Sequence, residues 1–449
     1  MCLKSKLLLC LAVMMIMTSC TKESDEPAQK EEPVVPVTTD EPKNPQPTPD
    51  PDPEPEKPDA QGVPSALRVD GRFLVNAEGR RVVMHGWAQT FSPWFNERGT
   101  KWNNYDVEGC LNYNKGIIDG ILAAGWKMTF VRQHMDPYWS NTPGKHTTGE
   151  NDISAFDWDR FTFYLDRVFV PMAEYAISKG LYVVMRPPGV CPEKIQKGGA
   201  YYEYLINIWT YVAKHPKLKN NGAVIFELAN EPIQICDENG VAVNNWDWTQ
   251  KDKRGRLLQD FMQGICDAIR NQGAQNVLLV PGLHYQMLYS TFEQYPVKGD
   301  NIAYAVHCYP GWYNSGVEGD VTVDYQSFKA GWDNEIMPIG RKAPIVVTEM
   351  DWAPAKYNSS WGKAITGVSG GTGFGANFMR ICDESQNVSW LLFTDGNLLA
   401  QYDDRQPDGQ TFLTDPEACP RPVYRHYQYY ATTEYDALIN KPSYGTKSR

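Results

Sequence analysis

Eight short apolar runs, rich in β-branched residues, constrain this chain more than any other feature. They are Arg81–Trp87, Lys127–Gln133, Leu181–Arg186, Ala223–Leu228, Asn276–Pro281, Ile302–His307, Ile345–Thr348 and Val388–Phe393. Runs of this length without polar alternation read as strands buried on both faces. Helical stretches separate them. The clearest extends from about Asp157 to Ser178, with Phe161, Leu165, Val168, Met172 and Tyr175 at helical spacing and Lys179-Gly180 as its stop. Alternation of strand and helix implies a parallel sheet, and eight such units imply a (β/α)8 TIM barrel. A small hairpin with Asp70-Gly71 and Glu78-Gly79 turns precedes the first run, over Leu67–Arg80. No internal repeat is visible.

The extra length falls after the strands, at residues 88–112, 134–156, 232–252, 309–325, 352–374 and 394–420. Returns from helix to strand are short, as at Lys179-Gly180 and Asn271-Gln272-Gly273. Long loops on one face only, rich in Trp and Tyr, build a cleft at the C-terminal ends of the strands. Two strands deliver a carboxylate there. Ala223–Pro232 carries Glu231 just past its apolar run, and Ala343–Met350 carries Glu349 at the end of its own. An acid in an otherwise apolar strand is costly to bury, so an incidental core role suits neither. Two carboxyls from separate strands on one barrel face are what hydrolysis of a glycosidic bond requires, one as acid/base and one as nucleophile. Glu227, four residues earlier, shares the face of Glu231 if the strand alternates regularly; it reads first as a paired acid lower in the barrel, and otherwise as a support beneath the site.

The ends of the chain are read separately. Lys4 and Lys6 precede an apolar stretch, Leu7–Met17, too short to span a bilayer comfortably, and Thr18-Ser19 leads to Cys20. Residues 1–19 are thus a signal peptide whose ending resembles a bacterial lipoprotein box, with Cys20 the lipidated residue; an ordinary secretory signal is the other reading. Residues 20–62 are dominated by Pro, Asp and Glu and cannot bury a core, so they form a disordered tether. Glu23, Asp25 and Glu26 resemble surface-export signals of Bacteroidota lipoproteins. The barrel then occupies residues 63–449. This arrangement puts the protein at an outer membrane, on the cell surface or in the periplasm, with the membrane engaged through the lipid alone. No later segment is apolar enough to span one. A net charge of −11 argues against nucleic acid and favours a neutral substrate. The seven cysteines beyond the leader are scattered, with no Cys-x-x-Cys pair, so neither disulfide framework nor zinc cage is signalled. Asp403–Gly409 has the composition of a calcium loop but not its spacing, and reads as a turn. No cofactor or metal is expected, and a monomer is.

Asn230-Glu231-Pro232 after an apolar strand resembles the acid/base motif of glycoside hydrolase family 5 and its barrel clan. The resemblance runs from about Leu67 to Tyr435. Arg132 falls at the end of strand two, where the family places an arginine that steadies the nucleophile. His307-Cys308-Tyr309 ends strand six like the family's His-x-Tyr pair, and Glu349 stands at the nucleophile position of strand seven. The resemblance implies a retaining endo-β-glycanase acting by double displacement, with β-1,4-glucan first among substrates and xylan or mannan next. Glu231 would donate a proton to the leaving oxygen, and Glu349, ionised beside Arg132 and Tyr309, would attack the anomeric carbon. Asn230 would bond the 2-hydroxyl of the sugar, and the two carboxyls would lie about 5–5.5 Å apart.

The chain departs from the family at two strand ends. Pro188 falls about where strand three commonly has a His, and His134 or Arg186 is available to fill that space. Trp390 comes early in strand eight, where Phe393-Thr394-Asp395 replaces the usual terminal Trp. Trp87, Trp94, Trp102, Trp139, Trp312, Trp352 and Trp361 are candidates for stacking on sugars, Trp87 and Trp352 foremost. The departures keep two other readings open: a non-catalytic glycan-binding lipoprotein on a decayed barrel, and an exo-acting or transglycosylating enzyme.

Overall fold

The computed structural model describes residues 62–89, 105–315, 324–350, 374–394, 396–406 and 421–441. The leader, Cys20 and the tether lie outside these residues, as do Trp94, Trp102, Trp352, Trp361 and Cys419.

Eight strands form a closed, all-parallel barrel. In chain order they are β1 His85–Gln89, β2 Phe130–His134, β3 Tyr182–Arg186, β4 Val224–Glu227, β5 Leu278–Pro281, β6 Ile302–Cys308, β7 Ile345–Met350 and β8 Val388–Leu392. Each strand pairs with its neighbour in sequence, and β8 closes on β1 through Trp390–Leu392 against His85–Trp87. Every residue of the eight strands is buried, which is why continuous apolar runs, rather than alternating ones, marked them. The (β/α)8 expectation is met.

Two local differences have simple causes. The run expected as one strand over Arg81–Trp87 is two pieces. Arg81–Val82 pairs antiparallel with Phe73–Val75, which pairs in turn with Arg68–Asp70, making a three-stranded sheet. Its turns place Gly71 and Gly79 at φ +57° and +77°, a region that favours glycine. The chain joins the barrel only at His85. The helix expected over Asp157–Ser178 starts where Asp157 caps the N–H of Arg160, but Leu165–Phe169 is a π turn. Pro171, with no N–H, sits just beyond it in the first turn of the helix Val170–Ser178. The Gln133 amide of β2 donates to the carbonyl oxygen of Phe169 at 2.7 Å, tying this irregular turn to the barrel.

Close backbone approach is needed where β1 meets β2. A Cβ at Gly86 would stand 1.9 Å from the carbonyl oxygen of Phe130, so only glycine fits there. The six described cysteines, Cys110, Cys191, Cys236, Cys266, Cys308 and Cys382, are buried and unpaired. No helix among the described residues is long and apolar enough to cross a membrane.

One irregularity positions the site. Along β6 and β7, Val306 pairs with Val347 but His307 pairs with Glu349, so Thr348 is an extra residue. Such a bulge re-aims side chains. Here Thr348 and Glu349, consecutive in sequence, both reach one charged cluster inside the barrel: Thr348 donates to Glu227 at 3.0 Å and Glu349 accepts from Arg132 at 2.8 Å.

Candidate active site

Arg132, 1 % exposed on β2, is the hub of the barrel mouth. Its Nε and Nη2 donate to the two oxygens of Glu227 at 2.6 and 3.0 Å, a forked pairing that fixes the guanidinium plane. Nη1 donates to Glu349 Oε1 at 2.8 Å, and Nη2 also donates to Asn230 Oδ1 at 2.7 Å. One cation thereby holds three side chains from β4, its following loop and β7. Glu227 itself is fully buried and accepts further from Thr348 and Gln286. It is a paired acid low in the barrel and the support of the site at once.

Glu349 is held from both sides. Its Oε1 accepts from Arg132, and its Oε2 accepts from the Tyr309 hydroxyl and lies 3.5 Å from His307 Nδ1. Burial alone would push the Glu349 carboxyl up. The adjacent His307 and Arg132, with the Tyr309 hydroxyl, outweigh it and hold the carboxyl below its ordinary value.

Glu231 stands on the other side of His307, whose Nδ1 is 3.2 Å from Glu231 Oε1. One oxygen from each glutamate and the His307 nitrogen all lie within 4.8 Å of one another. That spacing is also one at which a metal ion can be held, though both carboxyls are already engaged, Glu231 and Glu349 with His307 and Glu349 also with Arg132 and Tyr309. Glu231 is 15 % exposed and Glu349 5 %, so the first faces the cleft more openly.

The backbone at Glu231 is strained. Its φ is +54°, a left-handed conformation that a non-glycine residue adopts at a cost of roughly 1–3 kcal/mol, and one that clusters at functional sites. Neighbouring segments hold it there. The Glu231 N–H donates to Gln286 Oε1 at 2.8 Å, and Asn230 O accepts from the Cys191 N–H at 2.7 Å. His284, Tyr285 and Gln286, which follow β5, also have φ of +52°, +60° and +62°. The N–H groups of His284 and Tyr285 donate to the carbonyls of Ile233 and Pro232, locking the two loops together.

The residues expected from sequence thus fall into two groups. Glu231, Glu349, Arg132, Asn230, His307 and Tyr309 meet in one hydrogen-bonded cluster. His134 stands beside it at the end of β2, with its Nε2 3.7 Å from Glu150 Oε2. The aromatics behave differently. Trp87 is fully buried in β1 beside Gly396 and presents no face to a cleft. Trp139 is buried against Tyr105 and Tyr164, and Trp390 packs in the outer layer between Phe378 and Tyr427. Trp312 keeps partial exposure, edge-on to Tyr309 at 5.2 Å. Two polar side chains of the cluster's surroundings had no signal in the sequence: Gln286, five positions beyond the end of β5, and Glu150, inside a long loop. Only the tertiary fold brings them in.

A family model for cellulase, glycosyl hydrolase family 5, matches residues 120–394, which include both glutamates and Arg132. The chain belongs to glycosyl hydrolase family 5. Among curated proteins of similar sequence is an endoglucanase of Bacillus sp. (strain KSM-635), 22 % identical over 345 residues. That match covers 74 % of this chain but only 30 % of the relative, so the chain spans under a third of the relative's length. Among solved structures, a β-glucanase from Saccharophagus degradans superposes with a TM-score of 0.54 at 16 % identity, covering 84 % of this chain and 98 % of that one. Its complex with cellotetraose gives the same TM-score and coverage at 18 % identity. A protein from Cytophaga hutchinsonii gives 0.50 at 17 % identity over 83 % of this chain and 97 % of that one. At such identities the structural likeness speaks for the barrel fold.

The depressed Glu349 pKa has a testable consequence. A carboxyl whose folded value lies below its unfolded value adds stability above the ordinary carboxylate range and loses it as pH falls through the folded value. Tyr309→Phe removes one donor, raises the folded value and shrinks that contribution. Its destabilisation, about 1.5 kcal/mol at neutral pH, is expected to fade below pH ~4.5. Urea unfolding midpoints of wild type and variant at stepped pH measure this; a constant difference across the range contradicts it.

Proposed function

We propose that the protein is a retaining endo-β-glycanase that cleaves β-linked polysaccharide, β-1,4-glucan first and xylan or mannan next, by double displacement. The observation that carries the reading is the approach of Glu231 and Glu349 to within 4.8 Å around His307. Carboxyls that close match the roughly 5–5.5 Å of retaining enzymes, whereas inverting enzymes separate them by roughly 6.5–9.5 Å to admit a water beside the sugar. Glu349, kept ionised by Arg132, His307 and Tyr309, attacks the anomeric carbon. Glu231, the more open of the two, donates a proton to the departing oxygen, then takes one from the water that hydrolyses the glycosyl-enzyme. Asn230 accepts from Arg132 through its Oδ1, which leaves its amide N–H₂ as the donor to the sugar's 2-hydroxyl. The family, the endoglucanase relative and the β-glucanase fold support glucan as the preferred polymer.

A non-catalytic glycan binder gains nothing from the site. A depressed Glu349 pKa, a strained Glu231 and a buried arginine paired with Glu349 are costly features for binding alone.

On the same proposal the mature protein is a monomeric lipoprotein of the outer membrane, on the cell surface or facing the periplasm, tethered through Cys20 and the acidic Pro-rich segment. A Cys20→Ser variant of the full chain then leaves the membrane fraction on cell fractionation; its retention there contradicts the lipid anchor.

Glu349→Ala and Glu231→Ala are each expected to lower kcat on soluble glucan by orders of magnitude, with folding retained. On an activated aryl β-glycoside, azide is expected to restore turnover to the Glu349→Ala variant by yielding the α-glycosyl azide. Near-wild-type turnover of Glu349→Ala without azide contradicts the nucleophile assignment.

A further inference from the structure

The end of β3, where the family's usual histidine is missing, is occupied from elsewhere. Arg186, the last residue of β3, is 3 % exposed, and its Nη1 donates to the carbonyl oxygen of Gly189 at 2.6 Å. Its Nη2 reaches Glu150 Oε2 at 3.3 Å. Glu150 arrives on the long loop after β2, and the same Oε2 lies 3.7 Å from His134 Nε2. Both partners therefore lie on one oxygen. Oε1 is left without a protein partner among the described residues, on a side chain that is 26 % exposed.

The loop is fitted to this arrangement. Gly189 has φ +80°, and a Cβ there would stand 2.2 Å from the carbonyl oxygen of Glu150. Only glycine lets the two loops come that close, and the Val190 N–H donates to that same carbonyl at 3.3 Å. Burial pushes the Glu150 carboxyl up and Arg186 counteracts it, but Glu349 and Glu231 raise it further, which puts the group within electrostatic reach of both. Asp136, buried at the start of the same loop, lies near enough to be raised by Glu150 in turn. His134 at the end of β2 and Arg186 at the end of β3 lie directly against Glu150, while Asp136 from the loop after β2, Glu231 beyond β4 and Glu349 from β7 act on it electrostatically.

We infer that Glu150 is a specificity-determining residue of the sugar pocket, its Oε1, unpartnered among the described residues, accepting hydrogen bonds from hydroxyls of the sugar seated at Glu349, with Arg186 and His134 fixing its position. The inference rests on the proposed glycanase reading and names a contact within it. A carboxyl acceptor set against sugar hydroxyls discriminates by their placement, since an epimer that moves a hydroxyl leaves the acceptor unpaired.

The test compares wild type, Glu150→Gln and Glu150→Ala on cellotetraose and mannotetraose, with thermal midpoints recorded alongside. Glu150→Ala is expected to raise KM for the preferred tetrasaccharide about tenfold or more, with a smaller change in kcat, and to narrow the preference between the two sugars. Glu150→Gln keeps the shape and one acceptor oxygen, so its KM falls between the two, and it remains readable if the alanine variant folds poorly. A merely structural Glu150 would instead lower the thermal midpoint with KM and sugar preference unchanged, and that result overturns the inference. Wild-type protein that cleaves neither sugar nor any glucan, xylan or mannan overturns the glycanase reading and this inference together. Normal turnover indifferent to both substitutions overturns this inference alone.

Discussion

Almost everything at the mouth of this barrel depends on one buried cation. Arg132 pairs in a forked geometry with Glu227 and reaches Glu349 and Asn230 with its remaining donors. Taking these charges out of water is expensive, and the cost is offset only when geometry is close and the other donors and acceptors are met. The surroundings meet that demand: Thr348 and Gln286 complete Glu227, and Tyr309 completes Glu349. Removing the guanidinium would strand a fully buried carboxylate, a change of the kind that destabilises by about 3–5 kcal/mol. Stability and the preparation of Glu349 are thus one arrangement. On the proposed mechanism, the forked contact to Glu227 keeps the guanidinium from turning, so the charge that keeps Glu349 ionised stays fixed while a bond forms at its oxygen.

A second constraint acts on Glu231. Its left-handed backbone carries strain, and the Gln286 side chain holds the peptide in place while also contacting Glu227. The two glutamates are therefore linked through a shared polar floor, Glu231 by its backbone and Glu349 by its side chain. Glu231 is also the more exposed of the pair, which on the proposed mechanism suits a group that first gives up a proton and later takes one back.

Much of this was legible in the sequence because buried parallel strands admit few polar residues. A lone Arg132, Glu349 or His307 at the end of an apolar run is conspicuous for that reason, and the run itself places the residue on one face of the barrel. Glu227 was visible for the same reason, although its tie to Arg132 was not. Other parts depend on distance in space alone. The bulge at Thr348 leaves no mark in a run of β-branched residues, yet it sets His307 opposite Glu349. Gln286 and Glu150 come from loops where a polar residue is unremarkable. Trp87 misled for a related reason: in a barrel, the outer side of a strand is as buried as the inner, so this ring packs beside Gly396 instead of lining a cleft.

The most direct test of the account is chemical trapping of Glu349. Incubation with a 2-deoxy-2-fluoro-β-cellobioside bearing a good leaving group slows both steps and lets a glycosyl-enzyme accumulate. The predicted result is a mass increase of one fluoroglycosyl unit per chain, with peptide mapping placing it on Glu349 and the label forming more slowly in Tyr309→Phe. Label on any residue other than Glu349, or undiminished turnover with no adduct, would contradict the central claim that the Arg132 cluster prepares Glu349 as the nucleophile.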